Sequence, residues 1–403
     1  MNNKKLSWVE LRDIKLHKAR EIEELVNFIG GFDKWPMLNE DCRLEVLKYL
    51  DYSSLCELKV CSKADYELVK KKKIPIRICR MVISEAIMIQ KQRTIIDKTD
   101  TIEVRAEFND EYHHSPYIER SFTQKGRDTH VSVRAYLDAQ ESNGHFVLES
   151  TNYYNAAMEY VDKCLKKCNY ELDRLLVQMT DNPFSHCKLD RLVRCDNVEM
   201  GIDNIELFNW WIQKLPEKMK QFELYTFTCA DFDHPIRSAF LSLPQIKQVE
   251  HLDLSCEVSL TDEQFLNLEN RTMSSWHASV TNEGVNQFLR KWVKGKGNQE
   301  FEYVRFSGFS RNQDRNVILQ GLQARQWDDE FKEETNGFVE EFKNSSFFNP
   351  NDLCFQINSS VHPFESITLV FGYSLNIVKT GTKTVKKGKT ITSYSVPELM
   401  FSD

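Results

Sequence analysis

A mixed α+β and α/β fold is predicted by three features of the sequence. Leucines at helical spacing fill residues 35–73, apolar and polar residues alternate in stretches between Ile74 and Val147, and strand-like and helix-like segments take turns from Tyr153 onward. The chain has 403 residues, 41% of them hydrophobic and 28% charged, enough to build packed cores in two or three domains. The 53 Lys and Arg against 60 Asp and Glu give a formal charge of -7, which excludes a nucleic-acid-coating role. No apolar run approaches the roughly 20 residues a bilayer requires, and the first residues lead into charges. A soluble protein of the cytoplasm or nucleus is therefore expected. The boundaries read as an amphipathic helix at 1–32, a three-helix unit at 33–75, a β-rich unit at 76–150, a strand–helix array at 151–325, and an acidic helix or linker with a β-hairpin at 326–403.

Within residues 5–29, Leu6, Val9, Ile14, Leu25, Val26 and Ile29 recur at helical spacing until Gly30-Gly31. Asn39 is a good N-cap, and Glu40 and Asp41 suit the positive end of a helix that carries Leu44, Leu47 and Leu50 on one face. Ser54 with Glu57, and Ser62 with Asp65, form two candidate capping boxes for a second and a third helix. Three helices within about 40 residues cannot bury all of this apolar surface on themselves, so the surplus asks for a partner protein. Pattern alone is equally compatible with a helix-turn-helix bundle. The run Lys70 to Lys73 is explained by a solvated helix C-terminus, which favours cations.

The stretch from Trp35 to Ala64, with Trp-Pro-Met-Leu-Asn-Glu-Asp at its start, leucine pairs three apart and Val-Cys-Ser-Lys-Ala at its end, resembles an F-box. The resemblance implies three helices that dock on a Skp adaptor, which joins a cullin scaffold and a RING subunit in a ubiquitin ligase. By position it implies adaptor-contact roles at or beside Pro36, Leu38, Glu40, Leu47, Leu50, Leu55, Leu58, Cys61 and Ser62. Asn39 stands where the family has proline. An asparagine caps the helix through its side chain, so the helix is expected to persist without the direct proline contact.

Strands are expected at Ile74–Ile78, Thr101–Phe108 and Thr129–Tyr136, then a helix at Tyr153–Leu165 and a strand at Leu172–Met179. His113-His114 lacks a third ligand at metal spacing. Cys164, Cys168, His186, Cys187 and Cys195 supply zinc-type ligands without a Cys-x-x-Cys knuckle, and they read as small core residues. The 11 scattered cysteines form no disulfide framework.

Farther on, Leu252-x-Leu254, Trp276-x-Ala278 and Val304-x-Phe306 align at spacings of 24 (276 minus 252) and 28 (304 minus 276). Both lie in the roughly 20–29 residue window of leucine-rich repeats, so an irregular array of that kind is expected. Helix start signals at Thr261 and Thr281 fill the gaps, and a less regular pair of strands sits near Val193–Cys195 and Tyr225–Phe227. In this alignment His251, Asp253, Ser255, Ser275, His277, Ser279, Tyr303, Arg305 and Ser307 point away from the core, and His251, Asp253, Ser255, His277, Tyr303 and Arg305 form a candidate recognition face. Val-Glu-His-Leu-Asp-Leu, Leu-Thr-Asp-Glu-Gln-Phe-Leu and Thr-Asn-Glu-Gly-Val-Asn-Gln-Phe-Leu-Arg-Lys-Trp-Val, between Val249 and Phe306, are similar to the F-box-associated type 2 proteins expanded in nematodes. That likeness implies a target-selecting C-terminal region.

The acidic residues from Asp328 to Glu341 read as a solvated helix or linker, and Ser366–Val378 and Thr390–Val396 as strands joined by the lysine-rich turn Lys379–Lys389. No nucleophile elbow, phosphate loop, dinucleotide-binding glycine run or His-Glu-x-x-His occurs. The chain is therefore read as non-catalytic and without a cofactor: a substrate-recognition subunit of a Skp–cullin–F-box ligase or, alternatively, a plain interaction scaffold.

Overall fold

The computed structural model describes residues 35–47, 50, 52–71, 77–89, 95–108, 116–137, 140–180, 189–226, 238–276, 279–308, 313–335, 337–345, 348–362, 365–386 and 389–394. The helix expected over 5–29 and the residues His113, His114, His186, Cys187 and His277 lie outside them. The chain divides into two compact units, Met1–Ile76 and Arg77–Asp403.

The first unit contains helices α1 (Glu40–Leu47), α2 (Tyr52–Cys61) and α3 (Lys63–Lys71). Asn39 caps α1, its Oδ1 accepting the Cys42 N–H at 2.8 Å. The Ser62 hydroxyl accepts the Asp65 N–H at 3.0 Å, as expected of an N-cap, but the Asp65 carboxylate takes the Ser62 hydroxyl at 2.6 Å rather than the backbone N–H that a full capping box uses. Ser54 is no cap, because α2 already begins at Tyr52. Trp35, Leu47, Leu55, Leu58, Leu68 and Val69 form the interior, with Leu44 and Leu50 packed against it. Across that interior the Trp35 Nε1–H donates to Asp65 Oδ1 at 2.7 Å, which satisfies both buried polar groups.

The second unit is built on one sheet. Five strands come first: β1 (Ile78–Ile89), β2 (Ile95–Glu107), β3 (Tyr117–Lys125), β4 (Asp128–Leu137) and β5 (Gln140–Leu148). After helix α4 (Tyr153–Lys167), capped by Asn152, come β6 (Glu171–Met179), β7 (Arg194–Ile202), α5 (Ile205–Ile212) and β8 (Gln221–Tyr225). A 3-10 turn (Ser238–Ser242), α6 (Pro244–Lys247), β9 (His251–Glu257), α7 (Asp262–Phe265), β10 (Thr272–Trp276), α8 (Asn282–Val293) and β11 (Tyr303–Ser307) follow. The chain then forms α9 (Arg315–Ile318), β12 (Ala324–Gln326), α10 (Asp329–Glu334), α11 (Phe338–Lys343), β13 (Leu353–Asn358), β14 (Ser366–Phe371), β15 (Ser374–Lys386) and β16 (Lys389–Tyr394).

Among the described residues the strand order is β12-β13-β14-β15-β11-β10-β9-β8-β7-β6-β1-β2-β3-β4-β5, with β16 paired to β15. The segments expected as a β-rich unit, a strand–helix array and a C-terminal hairpin thus share one hydrogen-bonded sheet. Its centre is parallel, β1 and then β6 through β11. Antiparallel strands extend it on both sides, β2 to β5 on one and β15 to β12 on the other. The strand expected over Ser366–Val378 is two, folded back so that Phe371 faces Leu375, and β15 runs through most of the expected lysine-rich turn. Lys386 faces Lys389 at its end.

One face of the sheet carries the main core, and at the β11–β15–β14–β13 end the other face carries a second cluster around Tyr303, Val370 and Val378. Thr261 and Gln264 make a capping box at α7, and Thr281 accepts the Gly284 N–H at the start of α8. Asp262 accepts both the Thr281 N–H and its hydroxyl, tying the two helix starts together. On α8, Val285, Phe288, Leu289 and Trp292 recur at helical spacing and are buried. Phe288 lies 4.9 Å from Phe265 and 5.2 Å from Phe301, while Phe265 meets Phe306 edge-on at 5.1 Å. At the antiparallel end α4 lies against β2, β3 and β4.

The parallel register corrects the expected repeat. Leu252 stands opposite Met273, and Met273 opposite Val304, spacings of 21 (273 minus 252) and 31 (304 minus 273). The alignment through Trp276 is three residues out of step. Because side chains alternate, an odd shift turns every side chain to the other face. Ser275 is accordingly buried on the core side, while Thr272, Ser274 and Trp276 occupy the face expected for Ser275.

Candidate functional site

Two surfaces carry residues singled out by the sequence. On the helical unit, Pro36, Leu38, Glu40, Cys61 and Ser62 are exposed. Leu47, at 0% exposure, Leu55 and Leu58 are interior, and Leu50 is half-buried. Leu47, Leu55 and Leu58 pack the helices together, and Leu50 lies partly open against them. Among the described residues of this unit the exposed large apolar side chains are Met37, at 83%, Leu38, Val46 and Tyr66, the last with the Lys70 ammonium 5.3 Å from its ring centre. Met37, Val46 and Tyr66 were missed by the sequence reading. The signal lay in their position off the leucine stripe, where an exposed apolar group has no packing role.

The second surface is the sheet face opposite the core. Register places Glu199 beside Glu223, Glu223 beside Asp253, and Asp253 beside Ser274 and then Arg305. His251 lies between Gln221 and Thr272, and Tyr225 lies beside Ser255. Arg174 Nε donates to Glu199 Oε1 at 2.7 Å. The Gln178 amide reaches the Tyr225 hydroxyl at 2.7 Å across Gly201, whose lack of a side chain leaves the path open. Ser255 donates to Asp253 at 2.8 Å, and His251 Nδ1 and the Thr272 hydroxyl are 2.9 Å apart. The ladder of charge continues across β1 to β4 as Arg80 with Glu107 and Arg105 and Arg134 with Glu119.

Of the predicted face, His251, Asp253, Ser255 and Arg305 are where the alternation put them. Tyr303 faces the same side but is buried in a cluster with Phe331, Phe338, Val339 and Phe342. Its hydroxyl donates to Asn376 at 3.2 Å, and Ser307 is also buried. The residues that close this end belong to α10 and α11, the segment expected as a solvated acidic linker. Their acids face water while the phenylalanines between them cover β11 and its antiparallel neighbours.

Burial and the neighbouring Asp253 and Glu199 carboxylates push the half-buried Glu223 up to about 7, against a smaller opposing pull from Arg174. Burial likewise raises Asp253, and it lowers His251. The row therefore offers hydrogen-bond acceptors and one carboxyl poised to hold a proton near neutrality. A group whose folded pKa lies above its unfolded value stabilises the fold below the unfolded value, near 4.5, and loses that contribution as pH rises through about 7. Glu223→Gln is expected to gain about 1 kcal/mol at pH 8, discounted for partial solvent screening, and nothing near pH 4.5. Urea unfolding at the two pH values measures the difference.

Burial raises the thiol of Cys168 to about 11 and those of Cys195, Cys256 and Cys354 to about 12. Among the described residues no three His, Cys, Asp or Glu side chains stand together as metal ligands.

Comparison with known proteins agrees with the division into two units. Residues 35–77 match the F-box domain, and residues 243–306 match the F-box associated family. An uncharacterized F-box protein of Caenorhabditis elegans is 34% identical over 390 residues, covering 95% of this chain and 97% of that one. No solved structure matches. F-box and F-box-associated regions are typical of adaptor proteins rather than catalysts. The chain belongs to the F-box proteins, with an F-box-associated region in its second unit.

Proposed function

We propose that this protein is the substrate-recognition subunit of a Skp–cullin–F-box ubiquitin ligase acting in the cytoplasm or nucleus. The helical unit docks the Skp adaptor through Met37, Leu38, Val46 and Tyr66, with Pro36, Glu40, Cys61 and Ser62 beside them. The polar sheet face of the second unit, with His251, Asp253, Ser255 and Arg305, holds a protein target. The chain contributes no catalytic group. Its effect is tethering, which raises the effective concentration of a target lysine beside a charged conjugating enzyme.

The observation that carries this reading is the placement of large apolar side chains on the outside of a unit whose Leu47, Leu55, Leu58 and Leu68 are already buried. Met37 at 83% exposure has no stabilising role in the free chain, and a partner that covers it supplies one. Asn39 supports the same reading, because its side chain caps α1 in place of the family's proline and keeps the docking helix formed.

The test is to mix the full chain with purified Skp adaptor and measure a one-to-one complex by size-exclusion chromatography and calorimetry. Met37→Asp with Val46→Asp is expected to weaken that complex at least about 100-fold while leaving helix content unchanged. Absence of a complex with the unmodified chain would refute the ligase role and leave the interaction scaffold, in which the sheet face binds a partner and the helices serve only to fold.

A further inference from the structure

Among the described residues the sheet ends on β5, and no described strand pairs with its outer edge. β5 pairs with β4 in unbroken register from Thr129 opposite Leu148 to Leu137 opposite Gln140, and its residues 141–147 are all exposed. Helix α4 lies over β2, β3 and β4, so the sheet projects one strand beyond its helical cover. Phe146, with the Arg120 guanidinium 5.9 Å from its ring centre, and Val147 on the other side are exposed there.

Alternation along an antiparallel ladder turns the N–H and C=O of every second β5 residue away from β4, toward a further strand. Protected edges carry prolines, lysines or bulges. Between Gln140 and Leu148 there is no proline, lysine or arginine, and no register shift interrupts the pairing. The other end of the strand path, β12, is 3 residues long and cannot supply a partner of matching length.

We propose that β5 pairs antiparallel with β5 of a second copy of this chain, about a twofold axis through Asn143. A strand of identical length is then always available, and the pairing uses up the edge on both copies, closing the assembly as a dimer. In this register Asn143 faces its counterpart, and Glu141 of each copy faces His145 of the other on the same side of the sheet. On the opposite side Ser142 faces Gly144, whose missing side chain leaves space, the nearest atom to an added Cβ being Val133 Cβ at 3.8 Å. Moving the axis to Gly144 sets Glu141 against Val147 and loses both Glu141–His145 pairs. An axis between the two residues puts the outward hydrogen-bonding groups out of phase. A strand of matching length and the two reciprocal Glu141–His145 pairs therefore select the second copy over an arbitrary extended peptide, while Glu141 keeps its contact with Arg134 at 3.6 Å.

The dimer is independent of the adaptor reading and is tested without it. Sedimentation of the full chain from about 1 to 100 µM is expected to give twice the chain mass of 47.4 kDa at the upper end. Asn143→Pro, which removes an edge N–H, is expected to give monomer. Because that proline can also disturb the β4–β5 hairpin, charge exchange provides a second arm. His145→Glu or Glu141→His alone is expected to weaken the dimer about tenfold, and the two together to restore it. A monomer at every concentration overturns the proposal, as does a dimer indifferent to these substitutions. A monomer that instead captures an extended peptide along β5 also overturns it, in favour of a target strand at that edge.

Discussion

Leu47→Asp is expected to unfold the helical unit outright. Leu47 is fully buried among Trp35, Leu55, Leu58, Leu68 and Val69. The substitution removes the leucine's packing, a loss of about 2–5 kcal/mol, and adds the cost of a carboxylate in an apolar interior. A unit of this size has only a few kcal/mol to lose. Limited proteolysis should open cleavage between Trp35 and Lys71, with loss of helical circular dichroism and of adaptor binding together. Met37→Asp in parallel should leave the protease pattern unchanged, since that side chain is outside the interior. Equal protease resistance in the Leu47 variant would show that the leucines do not form the unit's core, and the separation of interior from docking surface would fail.

The second large effect is expected in the sheet. Phe306 is buried at 0% on the central parallel strand β11, and its ring meets Phe265 edge-on at 5.1 Å. Phe265 in turn packs on Phe288 of α8, so Phe306→Ala empties a junction shared by one strand and two helices. The expected cost is about 3–5 kcal/mol. Val193→Ala, at a side chain 68% exposed, should cost less than about 0.5 kcal/mol. Urea unfolding followed by tryptophan fluorescence compares the two, and a difference under about 1 kcal/mol would mean that the pocket collapses around the missing ring or that the core does not run through Phe306.

Local features were legible from the chain because their partners lie within one helical turn. Asn39, Ser62, Thr261 and Thr281 each bond a backbone N–H three residues ahead, and each does so in the fold. Ser54 failed as a cap because α2 starts two residues earlier, at Tyr52. Alternation likewise placed His251, Asp253 and Ser255 on one side of β9 without any knowledge of β10. The acids of α10 and α11 face water, but Phe331 on α10 and Phe338, Val339 and Phe342 on α11 give those helices a second, buried face.

The chain alone shows that an F-box-like helical unit precedes a strand-rich region, that the catalytic and cofactor motifs sought do not occur in it, and which way β9 alternates. Those properties depend on residues close together along the chain. The folded chain was needed to establish that Leu47, Leu55 and Leu58 are interior, that Met273 rather than Trp276 stands beside Leu252, that α10 and α11 cover Tyr303, and that β1 through β16 share one sheet. Each of these is a choice among long-range pairings, settled by which apolar groups leave water together, and no short window of sequence contains both members of the pair.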